Sequence, residues 1–239
     1  MTDNRSIKLN AVIDASIQKE KESQGKRDYL GTSLIGKPCS RQIQYIWQNT
    51  ETDLGRELPS RIYRIFDIGN TFEDLTITWL KTGGITLITE NKNHEQFGFA
   101  KGKLKGHIDG KITNGPEFMK PFPRLWECKS MNNNKFTQFI TRGVKYSHIQ
   151  YFVQVQIYMK MMNLTKNAAV LTGVQKETAS MHHEFIKYDK ETTTKYIKRA
   201  SNIIDKTEKK QLMPRISSDR NNFECKYCSW QTRCWSTND

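Results

Sequence analysis

The apolar residues of this chain change their period at Gly83-Gly84. Ahead of that pair they recur at helical spacing. Residues 6–22 form an amphipathic pattern on Ile7, Leu9, Val12, Ile13 and Ile17, and SQGKRDYLGT follows as a linker. Ser33 is placed to cap a helix over about 37–48, and a third helix is expected from Pro59 to Lys81. Beyond the glycines come short alternating or β-branched segments, Ile85–Glu90, Glu95–Phe99, Leu104–Ile112 and Arg124–Ser130, parted by Gly, Asn and Pro. NKFTQFITRG then reads as a short helix closed by Gly143, residues 147–163 as a long apolar helix, and Ala168–Val174 as a buried strand. Glu184–Tyr188 reads as a further strand, about 189–210 as a charged helix, and the stretch from Pro214 as loop and cysteine knuckle. Helices, then a run of strands, then alternating helices and strands predict one α/β domain with helical flanks. The expected organisation is an N-terminal helix and linker over 1–32 and a single domain over 33–239.

Charge narrows the function classes. The formal net charge of +13 exceeds what solubility requires and favours a polyanionic partner, since each neutralised phosphate releases counterions. No run of about 20 apolar residues spans a membrane, and MTDNRSIKLNAVIDASIQKEKES lacks the apolar segment of a secretory signal. Five cysteines, an odd number, fit a reducing, cytoplasmic compartment in which clustered thiols hold metal.

Three acidic or basic features belong together. GHIDGKI (106–112) carries Asp109 in an expected strand, WECKS (126–130) carries Glu127 and Lys129 two apart, and Glu73 lies on the preceding helix. Residues two apart on a strand share a face, so Glu127 and Lys129 project together while Cys128 faces the core. The turn-rich NGPEFMKPFP returns the second strand beside the first and brings Asp109 near Glu127. Two such carboxylates repel unless a cation neutralises them, and Mg²⁺ or Mn²⁺ suits an oxygen pair that leaves waters in place. Lys129 is then placed to orient or deprotonate water, or to offset phosphate charge. E-x-K alone arises by chance in most chains of this size; the Asp ahead of it, the helix acid and the positive charge give it weight. Gln150, Gln154 and Tyr158 recur every fourth residue on the apolar helix behind, forming a polar stripe that needs partners. Cys225, Cys228 and Cys234 form C-x2-C-x5-C, with Cys39 far upstream; four thiolates suit structural Zn²⁺ or a [4Fe–4S] cluster. His107 shares the expected strand face of Asp109, as a metal or phosphate contact or as an ordinary strand histidine. Arg41, Arg61, Arg64, Lys135, Arg142 and Lys145 flank the acidic set in sequence and, with Gln150, are the DNA-contact candidates.

On these residues the chain resembles the PD-(D/E)XK nuclease superfamily, with Asp109 as the motif's Asp and Glu127-Cys128-Lys129 as its E-x-K. GNTFEDL (69–75) is similar to the upstream helical motif, which makes Glu73 the third acid; RecB-like members often carry a metal-binding His before that Glu, and here Phe72 stands there. The resemblance implies a restriction-endonuclease-like core, a mixed central β-sheet flanked by helices, with an N-terminal helical region and a C-terminal cysteine cluster. It implies Mg²⁺ or Mn²⁺ held by Glu73, Asp109, Glu127 and the Cys128 carbonyl. Gln154 and Tyr158 match the RecB-like Q-x-x-x-Y motif, which supports the catalytic face or touches the DNA backbone. The split of one early and three late cysteines, with SLIGKPCSR around Cys39, is similar to CRISPR-associated and AddB-type iron–sulfur nucleases and favours [4Fe–4S] over Zn²⁺. ECKSMNNNKFTQFITRGVKYSHIQYF also looks like lambda-type phage recombination exonucleases. The implied function is metal-dependent cleavage of DNA phosphodiesters, with exonuclease action at DNA ends in recombination, repair or phage DNA processing. The cell would be bacterial, archaeal or phage-infected. The alternative is a non-catalytic nucleic-acid-binding protein with a structural four-cysteine metal centre. A homo-oligomer and recombination or replication protein partners are left open by the sequence.

Overall fold

The computed structural model describes residues 4–25 and 27–237; the first three residues, Lys26 and the last two, which sequence analysis assigns to the N-terminal segment and the domain's end, lie outside the described residues. Within them the chain is α/β, a restriction-endonuclease-like mixed sheet flanked by helices, with the cysteine knuckle at its C-terminal end. Helix α1 (Asn4–Ser23) has no buried residue and rests on helix α3 (Ser60–Thr82), through an ion pair between Asp14 and Arg64 and a hydrogen bond from Ser60 Oγ to Asp14 O at 3.0 Å. Between them lie the short strand β1 (Leu30–Gly31) and helix α2 (Ser40–Trp47). Ser33 does not cap α2. It sits in a 3-10 turn over Thr32–Leu34, and Cys39 is the N-cap, its sulfur accepting from Gln42 N. Pro38 keeps Lys37 out of helical conformation, and Cys39, extended at φ −92° and ψ 117°, holds the start to Ser40.

Five strands form the main sheet in the order β2-β5-β6-β7-β8: β2 (Thr86–Ile88), β5 (Gly110–Asn114), β6 (Arg124–Met131), β7 (Ala169–Gln175) and β8 (Met181–Ile186). All neighbours are antiparallel except β6 and β7, which run parallel. A parallel pair needs a crossover, and here it is made by helices α4 (Asn133–Ser147) and α5 (Ile149–Met161). Gly143, at φ 69°, kinks α4 where the sequence expected it to end, and Glu184 of β8 accepts from the Val144 N–H exposed by the kink, at 2.7 Å. A second sheet, β1-β4-β3, joins β1 to β3 (Gly98–Lys101) and β4 (Leu104–His107). The segment expected to be one strand over Leu104–Ile112 is therefore two, β4 and β5, in different sheets.

Apolar residues from both sides of the main sheet fill the interior. Leu125, Phe139, Val155, Met159 and Leu171 pack on the α4–α5 side; Leu87, Ile112, Trp126, Cys128 and Val174 pack on the α3 side. Helix α6 (Lys190–Glu208) closes a third group with Leu30, Ile35, Ile43, Val153 and Ile157. The Cys39 segment is held against this frame from two directions. Arg199 of α6 donates to Ile35 O at 3.0 Å and Pro38 O at 2.8 Å, and a Cβ on Gly36 would lie 2.5 Å from Gln150 Cα. That neighbour is helix backbone and cannot swing aside. Gly36→Ala is expected to cost about 1–3 kcal/mol by overpacking, read as a lower denaturation midpoint at unchanged m-value; an unaltered midpoint would show that the segment is not seated on α5.

Candidate active site

Strand β6 runs through the middle of the main sheet and presents Glu127 and Lys129 on one face. Glu127 is 1% exposed, and its Oε1 accepts from Lys129 Nζ at 2.7 Å and from Gln154 Nε2 at 2.9 Å. The Gln154 amide also donates to the Tyr158 hydroxyl at 3.1 Å. Two members of the glutamine–tyrosine stripe thus stand behind the carboxylate. Tyr158 comes this close to β4 because residue 106 is glycine, whose absent Cβ would lie 2.7 Å from the phenol ring. Gln150, the third member, turns away and donates to Ser33 O at 2.8 Å.

Asp109 occupies a bend between β4 and β5, not a strand. The β5–β6 ladder stops at the pair Gly110–Trp126, which leaves the edge of β6 unpaired beyond it. Asp109 Oδ2 takes the freed N–H of Cys128 at 2.8 Å. The break in the expected strand is therefore what turns the carboxylate toward Glu127. Burial pushes the Glu127 carboxyl up to about 8, with Asp109 adding repulsion, and Glu73 on α3 up to about 7, by burial and then Asp109. Asp109 is raised as well, by burial. Burial works against the charge on Lys129, yet Glu127 and Asp109 outweigh it and hold the ammonium above its ordinary pKa. One lysine faces three acids, and the excess turns negative as Glu127 and Glu73 lose their protons. Cys128 packs on the opposite side of β6 against the α3 layer, where burial pushes its thiol up to about 12. Phe72, where the resemblance has a metal-binding histidine, packs instead against the same apolar layer.

Among the described residues no three His, Cys, Asp or Glu side chains are already gathered as metal ligands. One observation nevertheless fits a cation: Glu127 Oε2 is buried and has no hydrogen-bond partner. A buried carboxylate oxygen left bare is costly, and a hard cation bound through one or two carboxylates with its own waters would satisfy it.

The cationic candidates separate. Arg41 is not a surface contact: it is 2% exposed and donates to Met213 O at 2.5 Å and toward the Cys234 sulfur at 3.6 Å, so no phosphate reaches it. Arg64 is paired to Asp14, Lys135 is exposed at the start of α4, and His107 is exposed on β4, its ring where a Gly98 side chain would otherwise lie. One residue that the sequence did not single out lies beside Lys129, and a second stacks on it. Its Nζ sits 5.7 Å from the centre of the Tyr151 ring, on which His148 stacks at 5.4 Å. Tyr151 is three residues before Gln154, so the stripe's own spacing held the signal.

Cys39, Cys225, Cys228 and Cys234 line one small cavity together with Arg41, Gln42 and Tyr45 of α2. The knuckle is made by two short helices, α7 (Phe223–Lys226) and α8 (Gln231–Ser236). It is pinned by Arg56, which donates to Cys228 O at 2.9 Å, by Asp53, which accepts from Arg233 N at 3.1 Å, and by Arg215, which donates to Cys234 O at 2.9 Å. No pattern in the sequence marks these three, because each reaches a main-chain atom distant along the chain.

No protein-family profile and no curated protein matches the sequence. Solved structures do. An alkaline exonuclease from Laribacter hongkongensis superposes with a TM-score of 0.53 at 10% identity, over 77% of this chain and 90% of that one. The chain shares the fold of that exonuclease. The crystal structure of SSO0001 matches with a TM-score of 0.50 at 17% identity and covers 97% of this chain and 98% of its own. Both likenesses are of fold, and that to SSO0001 extends over nearly all of the sequence. Among the described residues no helix is long and apolar enough to cross a membrane.

Proposed function

We propose that the protein is a PD-(D/E)XK nuclease that hydrolyses DNA phosphodiesters with Mg²⁺ or Mn²⁺, acting at DNA ends. The observation that carries this reading is the bare Glu127 Oε2, buried beside Asp109 and Lys129 on a sheet whose fold is also that of an alkaline exonuclease. Glu127, Asp109 and Glu73, with the Cys128 carbonyl, are the residues that would hold the cation. When bound, it would supply Lewis-acid activation of phosphate and water. The protein's own part is positioning. Gln154 and Lys129 fix Glu127 in one rotamer, and the Cys128 N–H fixes Asp109. Lys129 stays charged between two acids, so it acts on the phosphate as a positive charge and not as a base. The surplus of +13 supplies attraction for the DNA backbone, with Lys135 and the Tyr151–His148 stack beside the site.

The second element of the reading is a four-cysteine metal centre, [4Fe–4S] in preference to Zn²⁺. Its support is the convergence of Cys39 with the three knuckle cysteines on one cavity. A centre there would tie α2 to the C-terminal segment.

The deciding measurement is digestion of end-labelled single- and double-stranded DNA, with and without Mg²⁺. Wild-type cleavage is expected to require the cation and to vanish in Asp109→Ala. In Lys129→Ala it should fall by about 10²–10³-fold, the scale of one lost electrostatic contact to the transition state. A wild type that binds DNA and never cuts it would instead be a nucleic-acid-binding module.

A further inference from the structure

Helix α2 turns more than Cys39 toward the cysteine cavity. Gln42 donates its main-chain N–H to Cys39 Sγ at 3.5 Å and its side-chain amide to Cys228 Sγ at 3.8 Å. Arg41 Nη1 lies 3.6 Å from Cys234 Sγ, with its guanidinium 2% exposed. Tyr45, one helical turn beyond Arg41 and 4% exposed, lines the same cavity, and its hydroxyl is buried with no hydrogen-bond partner. A neutral thiol is a weak acceptor and offers such donors little. An anionic, sulfur-rich centre offers every one of them a charge-assisted bond. Buried hydroxyls are rarely left without partners, so the bare phenol calls for an acceptor, and the four cysteine sulfurs line the cavity that it shares.

The geometry points to Arg41, Gln42 and Tyr45 as hydrogen-bond donors to the sulfurs of an iron–sulfur cluster, with the Tyr45 hydroxyl setting its reduction potential and its retention. This rests on the iron–sulfur reading of the cysteines given above. Donors to sulfur withdraw electron density and favour the reduced, more negative state, which raises the potential. Removing one lowers it and makes the cluster easier to oxidise.

The test uses the full-length protein purified anaerobically, as wild type and as Tyr45→Phe, which deletes one oxygen from the buried ring. Iron per chain, the midpoint of a dithionite spectroelectrochemical titration and the rate of bleaching in air are measured for both. Tyr45→Phe is expected to keep its iron, to titrate at a more negative potential and to bleach severalfold faster. Resonance Raman spectra of the wild type in D₂O give a readout that needs no variant: iron–sulfur stretches are expected to shift, and Tyr45→Phe to lose part of that shift. Gln42→Leu, at a partly exposed position, provides the same comparison should Tyr45→Phe fail to fold. A wild type that carries no iron overturns the cluster reading and this inference with it. Iron in both proteins with the same midpoint, bleaching rate and deuterium shift overturns this inference alone.

Discussion

Between about pH 6 and about pH 8 the affinity of the acidic site for Mg²⁺ or Mn²⁺ is expected to rise on the order of 10²-fold, because binding must displace protons from shifted carboxyls. The sign follows from the direction of the shifts. Glu127 titrates near 8 and Glu73 near 7, both above the ordinary glutamate value, so at about pH 6 each is held protonated and opposes a cation. As pH passes through these values the protons leave and the negative charge that attracts the metal appears. Calorimetric titration in two buffers of different ionisation enthalpy measures the released protons directly. More than one per metal is expected at about pH 6 and fewer than one at about pH 9. The same shifts act on folding. A carboxyl whose pKa is raised in the fold stabilises it while protonated, so the metal-free protein is expected to lose thermal stability as pH rises through about 8, and added cation to restore it. Glu127→Gln removes the charge while keeping the shape and should abolish binding, its pH dependence and cleavage together. Affinity that stays flat across this range, or survives Glu127→Gln, would place the metal elsewhere.

How much of this was legible beforehand depends on the kind of contact. Helix α5 and strands β6 and β7 were readable because their apolar runs are long and the structure buries them. The pairing of Glu127 with Lys129 was readable because a strand's two-residue period is local. Asp109 was misplaced in a strand because alternation runs unbroken through Leu104–Ile112; only the switch between two sheets, a tertiary event, bends the chain there. Arg41 misled for a related reason. Its neighbours in sequence are polar and its charge suggests solvent, but the Met213 carbonyl and the Cys234 sulfur that enclose it lie far along the chain. Cys39 was legible as a cysteine of interest and illegible as the N-cap of α2, since cysteine's preference there is weak. Tyr45 had no signal at all: a tyrosine on an amphipathic helix is ordinary until its hydroxyl is found unbonded beside sulfur.

Cys39→Ser is expected to cost about 2–5 kcal/mol of unfolding free energy in the metal-loaded protein, far more than a conservative change at a helix start. The substitution is informative because the residue has two jobs that it separates. As N-cap of α2, Cys39 accepts from Gln42 N, and serine is the stronger cap, so that contribution is kept or improved. As a ligand, Cys39 alone joins the cavity from the N-terminal part of the chain, whereas the other three cysteines lie within one short segment. Losing it opens a loop of roughly 200 residues, and the entropy of closing such a loop is where a cross-link gains most. The loss is held below the full loop-closure value because Arg56 and Asp53 still hold the knuckle by hydrogen bonds when the centre is gone. The expected pattern is therefore a lower denaturation midpoint, loss of bound metal, and early protease cleavage after about residue 214, with the main sheet intact. Cys128→Ser serves as the control: it lies across β6 from Lys129 in the apolar layer and should leave metal content at the cavity unchanged. A Cys39→Ser protein that keeps its metal and its midpoint would mean that the knuckle binds without Cys39, and that hydrogen bonds such as those of Arg41 and Gln44 suffice to hold α2 to the C-terminal segment.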